Sequence, residues 1–271
     1  MGIGNVTERR LQPPQVGVTV VILALAPSPS GSRLWLPLVR RVRQPFLGRW
    51  ALPGGGLRAD QSLEQSAYRA LADTTDLHPR YLEQLYTFGD PARSQGGLPM
   101  VSIAYWALVG REETADFAVE RNVRWFPADA LPELAFDHRN IIAYALRRLR
   151  TRIDEPAVVT RLVGETFTLN QLHDVYEAVA GEHIDLANFR RRMLATGRLE
   201  ETGEQRREGR HRPAAVYRYA PGEPDGASPY GVVQRRLASL NRSRERQGEQ
   251  PPADRDVLMR EAMSPLERPA A

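Results

Sequence analysis

The sequence predicts an α+β chain in which a layered strand-and-helix domain, residues 13–153, precedes a smaller basic unit of helices and a hairpin, residues 154–220. Three observations predict it. Apolar, β-branched runs stand at 16–26, 33–42 and 100–109 with a helical stretch between them, as in a sheet covered by helices. From Asp137 onward the apolar period becomes helical, about 3.6 residues. Nine arginines then fall between Arg190 and Arg218, a local positive excess that points to a polyanionic partner.

Residues 1–12 are expected to be a flexible N-terminus. VGVTVVILALA (16–26) and RLWLPLVRRV (33–42), separated by PSPSG, read as two strands joined by a loop. Gly54, Gly55 and Gly56 follow, and such a triplet ahead of a helix lets the backbone turn sharply and approach a phosphate closely. Arg40 and Arg41, ending the second strand nearby, carry donors suited to a diphosphate. The equally open alternative is a strand end that balances surface acids. The next helix has Ser62 and Gln65 at capping-box spacing and an inward stripe of Leu63, Ala67 and Leu71, while Arg69 opens its outer face. A strand near 81–88, an irregular loop over 89–99, the strand MVSIAYWALV (100–109) and a short strand at 123–127 complete the sheet. Ile142, Leu146, Leu149 and Ile153 give a linking helix, with Asp137 placed to cap it and His138 to cap or orient it. Asp154, Glu155 and Pro156 make the expected boundary. The tail, 221–271, is rich in Pro, Gly, Ser, Arg and Glu and is expected to be disordered.

Residues 154–220 fit a winged helix-turn-helix unit. Thr168 and Gln171 repeat the capping-box spacing at the head of a helix with Leu169, Leu172, Val175, Tyr176 and Val179 inward, and Gly181 can close it. Asp185 is the next N-cap, and Gly197 ends the second helix. In that helix Leu186, Phe189 and Met193 form the buried stripe. Asn188, Arg191 and Arg192 therefore face outward and Arg190 lies on the flank, the arrangement a recognition helix needs to reach base edges and phosphates. Residues 198–219 read as a hairpin wing whose Arg206, Arg207, Arg210 and Arg212 suit a phosphate backbone or a minor groove. The bland alternative, a solvated basic face, is weakened by the capped helix pair and the wing beside it.

Composition narrows the classes. The chain has 271 residues, a formal net charge of +4 and no cysteine, which removes disulfides, thiol catalysis and cysteine-based zinc sites and suits a reducing cytoplasm. Its basic residues are all arginine, 37 in number. The longest apolar run, 16–26, is too short to span a bilayer and no signal-peptide pattern precedes it, so no membrane partner is expected. Neither a cofactor nor a bound metal is expected. His78, His138, His173, His183 and His211 lack paired metal spacing.

Residues 52–77, together with the flanking match GRWALPGGG (48–56), resemble a Nudix box, whose pattern runs G, five residues, E, seven residues, R-E-U-x-E-E-x-G-U. The first glycine falls on Gly55 and the arginine on Arg69. The carboxylate positions become Gln61, Ala70, Asp73 and Thr74, and the late glycine becomes Asp76. Mg²⁺ needs several oxygen ligands, so the pattern predicts a nucleotide-shaped pocket without hydrolysis. With NFRRRML and the RP-A-x-x-YR ending of the second domain, residues 13 to 220 closely resemble the Nudix-related transcriptional regulators of NAD metabolism. That resemblance implies an α/β/α Nudix-like sandwich with a mixed sheet that binds ADP-ribose or a related nucleotide, a winged domain on double-stranded operators of NAD-biosynthesis or salvage genes, and a homodimer. The effector contacts are then expected at Arg40, Arg41, Gly54, Gly55, Gly56 and Arg69, and two-fold symmetry makes the expected operator a palindrome. The chain departs from many relatives at RSQGGLP in the 89–99 loop. Two other classes compete: a nucleoside-diphosphate hydrolase with an accessory basic domain, disfavoured by Ala70 and Thr74, and an RNA-associated protein, disfavoured by the lack of exposed aromatic platforms beside the arginines.

Overall fold

β1 (Gln15–Ser28) is buried on both faces because it is central to a seven-stranded mixed sheet, and its run of apolar residues is what such a strand requires. The computed structural model describes residues 13–28, 31–75, 79, 82–94, 99–110, 122–207 and 213–220. β2 (Gly31–Arg40) runs antiparallel to the C-terminal half of β1. β6 (Met100–Val109) runs parallel to it over ten residue pairs, Gln15 opposite Met100 through Ala24 opposite Val109. β5 (Leu82–Phe88) adds antiparallel to β6, and β7 (Val123–Pro127) to the outer side of β2. Two short strands that the sequence pattern had not separated, β3 (Trp50–Ala51) and β4 (Gly54–Gly56), pair with the end of β2 and the start of β1.

Side-chain alternation sorts β1 between two layers. Val18, Val20, Ile22 and Ala24 face α1 (Leu63–Thr75) and pack on Ala67, Ala70 and Leu71. Val21, Leu23 and Leu25 face the opposite way, onto Ile141, Ile142, Ala145 and Leu149 of α2 (His138–Arg152). This is the expected α/β/α sandwich.

The second unit contains α3 (Pro156–Val163), β8 (Phe167–Thr168), α4 (Leu169–Ala180), α5 (Leu186–Ala195), β9 (Leu199–Arg206) and β10 (Ala214–Tyr219), with β10 between β8 and β9. Its own core gathers Val159, Phe167, Leu169, Leu172 and Phe189. The chain changes pattern at 154–156, yet burial runs across that point. Val158, Leu162, Val175 and Val179 share a core with Leu23 and Leu149. Arg150 Nε donates to the Val179 carbonyl at 3.0 Å, and Ser32 Oγ to Asp174 Oδ2 at 3.3 Å. Arg152 links Glu83 (2.7 Å) and Glu155 (2.7 Å), fastening the end of α2 to β5. Among the described residues no helix is long and apolar enough to cross a membrane. The segments 1–12 and 221–271 lie outside the described residues.

Candidate functional site

The glycine triplet is not a turn. Gly54, Gly55 and Gly56 lie opposite Thr19, Val18 and Gly17 in an antiparallel ladder. Glycine is required there by proximity: a Cβ on Gly54 would meet the Val18 carbonyl oxygen at 2.6 Å, and one on Gly17 the Gly55 oxygen at 2.9 Å. β4 thus fills the gap left where β2 diverges from β1, and a cavity opens on each of its sides.

The larger cavity, about 740 Å³, lies on the α2 side and is bounded by β1, β4, Arg41, Arg93, Phe136 and His138. Its size is within the range of small-molecule sites. Thr19 Oγ1 and Ser102 Oγ, 2.7 Å apart and buried, form a polar pair in its wall. Arg93, from the 3₁₀ turn Pro91–Ser94, donates to both carboxylate oxygens of Asp137 and to the Phe88 carbonyl at 2.7 Å. Asp137 therefore stands at the head of α2 without capping it through its side chain, contrary to expectation, because Arg93 occupies its carboxylate. His138 does orient the helix: its Nδ1 accepts the Leu52 N–H at 2.9 Å, tying α2 to the segment before Gly54. Burial pushes the imidazole pKa down to about 4; Asp137 opposes this while Arg93 and Arg41 reinforce it. The ring is neutral at pH 7, with Nδ1 as acceptor.

Arg41 lies with its guanidinium carbon 4.7 Å from the centroid of the Phe136 ring, and its Nε donates to the Pro45 carbonyl at 2.8 Å. Phe46 and Phe136 pack edge to face at 4.8 Å, and both hold positive φ, 65° and 54°. Such backbone is uncommon outside glycine and clusters at ligand sites. Arg40 turns away from the large cavity; its Nε donates to the Gly48 carbonyl at 3.2 Å, and it lines an adjoining hollow.

On the α1 side a cavity of about 240 Å³ is lined by the glycine triplet, Arg58, Gln61, Ser66, Arg69, Ala70 and Asp73. Among them Gln61, Ala70 and Asp73 stand at positions where the Nudix pattern calls for carboxylates. The residues present do not fit Mg²⁺: Ala70 offers no donor, Gln61 no charge, and Asp73 is shared with Arg69 at 3.4 Å. The side chain of Thr74 lies outside the described residues. The Ser62–Gln65 capping box that starts α1 is formed, at 2.8 and 3.1 Å.

In the second unit, Thr168 and Gln171 also close a capping box, Gly181 adopts the left-handed conformation at φ 76°, and Asp185 caps α5 through the Asn188 N–H at 2.8 Å. Glu177 holds the turn between the helices. Its carboxylate accepts the Ile184 N–H at 2.8 Å and pairs with His183 at 2.7 Å. Although desolvation pushes its pKa up, these contacts and His173 leave it below the usual carboxylate range. Phe189 anchors α5 beneath His173 and Tyr176. Asn188, Arg190, Arg191 and Arg192 are exposed; Arg190 donates to Asn170 Oδ1 at 2.7 Å and Arg191 to Asn188 Oδ1.

The profile described as the NrtR DNA-binding winged helix domain matches residues 159–219, and that of the NUDIX domain residues 14–148. An "ADPR responsive transcriptional repressor NtrR" of Acinetobacter baylyi is 34% identical over 193 residues, 69% of this chain and 76% of the relative. The crystal structure of Shewanella oneidensis NrtR complexed with a 27mer DNA is similar at a TM-score of 0.63 and 36% identity, covering 76% of this chain and 94% of that one. The chain belongs to the NrtR family. It also matches an ADP-ribose pyrophosphatase of Methanocaldococcus jannaschii, 32% identical over 111 residues, 41% of this chain and 64% of the relative.

Within this NrtR-family fold the predicted residues separate into distinct places. Arg41 and the glycine triplet border the large cavity, Arg69 and the same triplet the small one, and Arg40 neither. Arg93 was missed as a cavity residue because burial pairs it with Asp137, 44 positions away. In the wing, Arg206 turns inward, donating to the Thr166 carbonyl (3.3 Å), Thr166 Oγ1 (3.2 Å) and Gln171 Oε1 (3.0 Å). It braces the capping box of α4 and is not an outward wing residue. Arg207 is exposed; Arg210 and Arg212 lie outside the described residues.

Proposed function

We propose that this NrtR-family chain is a DNA-binding transcriptional repressor of NAD biosynthesis or salvage genes that senses ADP-ribose or a related NAD-derived nucleotide and does not hydrolyse it. The observation that carries the reading is the coexistence of a roomy cavity bordered by Arg41 and Arg93 with an α1 face on which Gln61, Ala70 and an arginine-paired Asp73 stand where metal ligands belong. The nucleotide occupies the cavity beside β4, with guanidinium groups near its diphosphate. Arg190, Arg191 and Arg192 on α5 enter the major groove and Arg207 follows the backbone, while Arg206 positions the wing.

The physical link between the two sites is α2. Its first turn borders the cavity through His138, and its last turn holds the end of α4 through Arg150 and the Val179 carbonyl. A nucleotide that binds one placement of α2 more tightly than another shifts the helix-turn-helix with it, and only that difference in affinity has any effect. A homodimer bringing two α5 helices to a palindrome supplies the interface that a single winged unit lacks.

The deciding experiment is operator binding by fluorescence anisotropy with and without ADP-ribose. A shift in affinity supports the reading, and an operator affinity indifferent to saturating ADP-ribose overturns the sensor. The hydrolase alternative rests on Asp73 and on similarity to the archaeal pyrophosphatase.

A further inference from the structure

We propose that Asn170 is a positioning residue for operator binding: its side-chain oxygen holds the Arg190 guanidinium in one place on the DNA-facing side of α5, so that Arg190 meets a guanine edge already ordered. The inference rests on the proposed reading that α5 enters the major groove, and deepens it by adding a residue from the helix behind.

Three features carry it. The first is spacing. Asn170, His173 and Glu177 recur at i, i+3, i+7 along α4 and so form one stripe. Each meets α5 or the turn ahead of it. Glu177 accepts the Ile184 N–H at 2.8 Å, His173 Nε2 lies 2.7 Å from the Ile184 carbonyl oxygen, and Asn170 Oδ1 accepts from Arg190 Nη2 at 2.7 Å. One end of the stripe fixes the backbone before α5, and the other end fixes a guanidinium on it. The second feature is the kind of acceptor. Asn170 is neutral, and among the described residues Arg190 makes no ion pair. A carboxylate at that place would cancel the arginine's charge, whereas an amide oxygen engages one N–H and leaves the charge and the other donors free. Arg206, which serves the fold, is instead half-buried and committed to three oxygens of Thr166 and Gln171. The third feature is place. Gln171, next to Asn170, closes the capping box with Thr168 and takes Arg206 of the wing at 3.0 Å. Adjacent residues in the first turn of α4 thus hold the two elements that must meet DNA at a fixed separation.

A guanidinium free to rotate loses that freedom when it docks, and ordering it beforehand is worth about two- to tenfold in affinity. Contact with guanine O6 and N7 is planar and bidentate, so it gains most from such ordering.

The test uses the full chain and a duplex that the wild type selects from random-sequence DNA, together with every single base-pair substitution of that duplex. Anisotropy is read at several salt concentrations. Arg190→Ala should lose discrimination at one base pair, on the order of tenfold or more. Asn170→Ala should lose about two- to tenfold at the same base pair and add nothing in the Arg190→Ala background. Its salt dependence should match wild type, since no charge is removed, and so should its thermal midpoint. Asn170→Asp keeps the acceptor oxygen and should retain the discrimination while weakening every duplex, because its carboxylate offsets the arginine. Wild-type preferences in Asn170→Ala, a loss spread equally over all positions, a lowered thermal midpoint that accounts for the loss, or additivity with Arg190→Ala each overturns the inference. If Arg190→Ala leaves every preference unchanged while Arg191→Ala and Arg192→Ala alter them, the inference falls and α5 remains the recognition helix. If no α5 variant alters them, or no duplex is selected, the underlying reading falls with it.

Discussion

Arg93 and Asp137 meet through two hydrogen bonds of 3.0 Å, with side chains only 5% and 17% exposed, and so pin the turn at 91–94 to the head of α2. One arginine thus serves both the fold and the cavity wall. Removing a single partner leaves a buried charge uncompensated, which costs about 3–5 kcal/mol. Arg93→Ala and Asp137→Asn should both lower the unfolding free energy, read by urea titration, by that order and weaken ADP-ribose binding. A double-mutant cycle reads their coupling. Single variants as stable as wild type would show that the pair contributes nothing.

His138 predicts a pH dependence. Its folded pKa, about 4, lies below the unfolded value near 6.5. Between these values the unfolded chain binds the proton and the folded chain does not, so stability falls as pH falls through that window. With the neutral ring fully favoured above about pH 6.5, the contribution lost by pH 4 is on the order of 3 kcal/mol. Urea unfolding across pH 4–8 should show a shallower decline in His138→Gln than in wild type, and NMR titration should find the His138 ring neutral at pH 5. A ring that titrates near 6.5 would contradict the burial argument.

How far the sequence could be read depended on the range of the signal. Ser62 with Gln65, Thr168 with Gln171, and Asp185 before Asn188 are caps made within three residues, and each formed as its spacing predicted. Of the stripe expected on α5, Phe189 is buried and Met193 packs beside it half-buried, while Leu186 is only half-buried. Gly54 to Gly56 were misread because a glycine triplet serves either positive φ or close approach, and only the distant Gly17 and Val18 show which. Arg93 gave no local sign of burial, its partner being 44 residues away. Arg206 gave no local sign either: Gly203 at positive φ and the register shift opposite Ala215 and Tyr217 break the alternation of β9, and Glu204, between half-buried Thr202 and Arg206, is exposed.

Catalysis is the next expectation. With Ala70 and Gln61 at carboxylate positions, ADP-ribose incubated with the chain and Mg²⁺ or Mn²⁺ should yield no AMP at an enzymatic rate, about 1 to 10³ per second. Chromatography of the nucleotide pool measures it. Turnover in that range, abolished by Asp73→Ala, would establish the hydrolase instead.

The arginines of the second unit should divide by what they touch. Arg191 and Arg192 are exposed on α5, and each should lose about 1–3 kcal/mol of discrimination on replacement by alanine if it reads a base edge. Arg207, exposed at the end of β9, should weaken all DNA sequences alike and flatten the salt dependence by about one unit of slope. Arg206 differs from both. Its guanidinium is committed to Thr166 and Gln171, so Arg206→Ala should lower thermal stability, and its DNA affinity should fall only with the loss of wing order. Anisotropy titrations at several salt concentrations, on the operator and on a scrambled duplex, separate the three. If the double Arg191→Ala, Arg192→Ala variant bound its operator as tightly as wild type, α5 would not be the recognition helix.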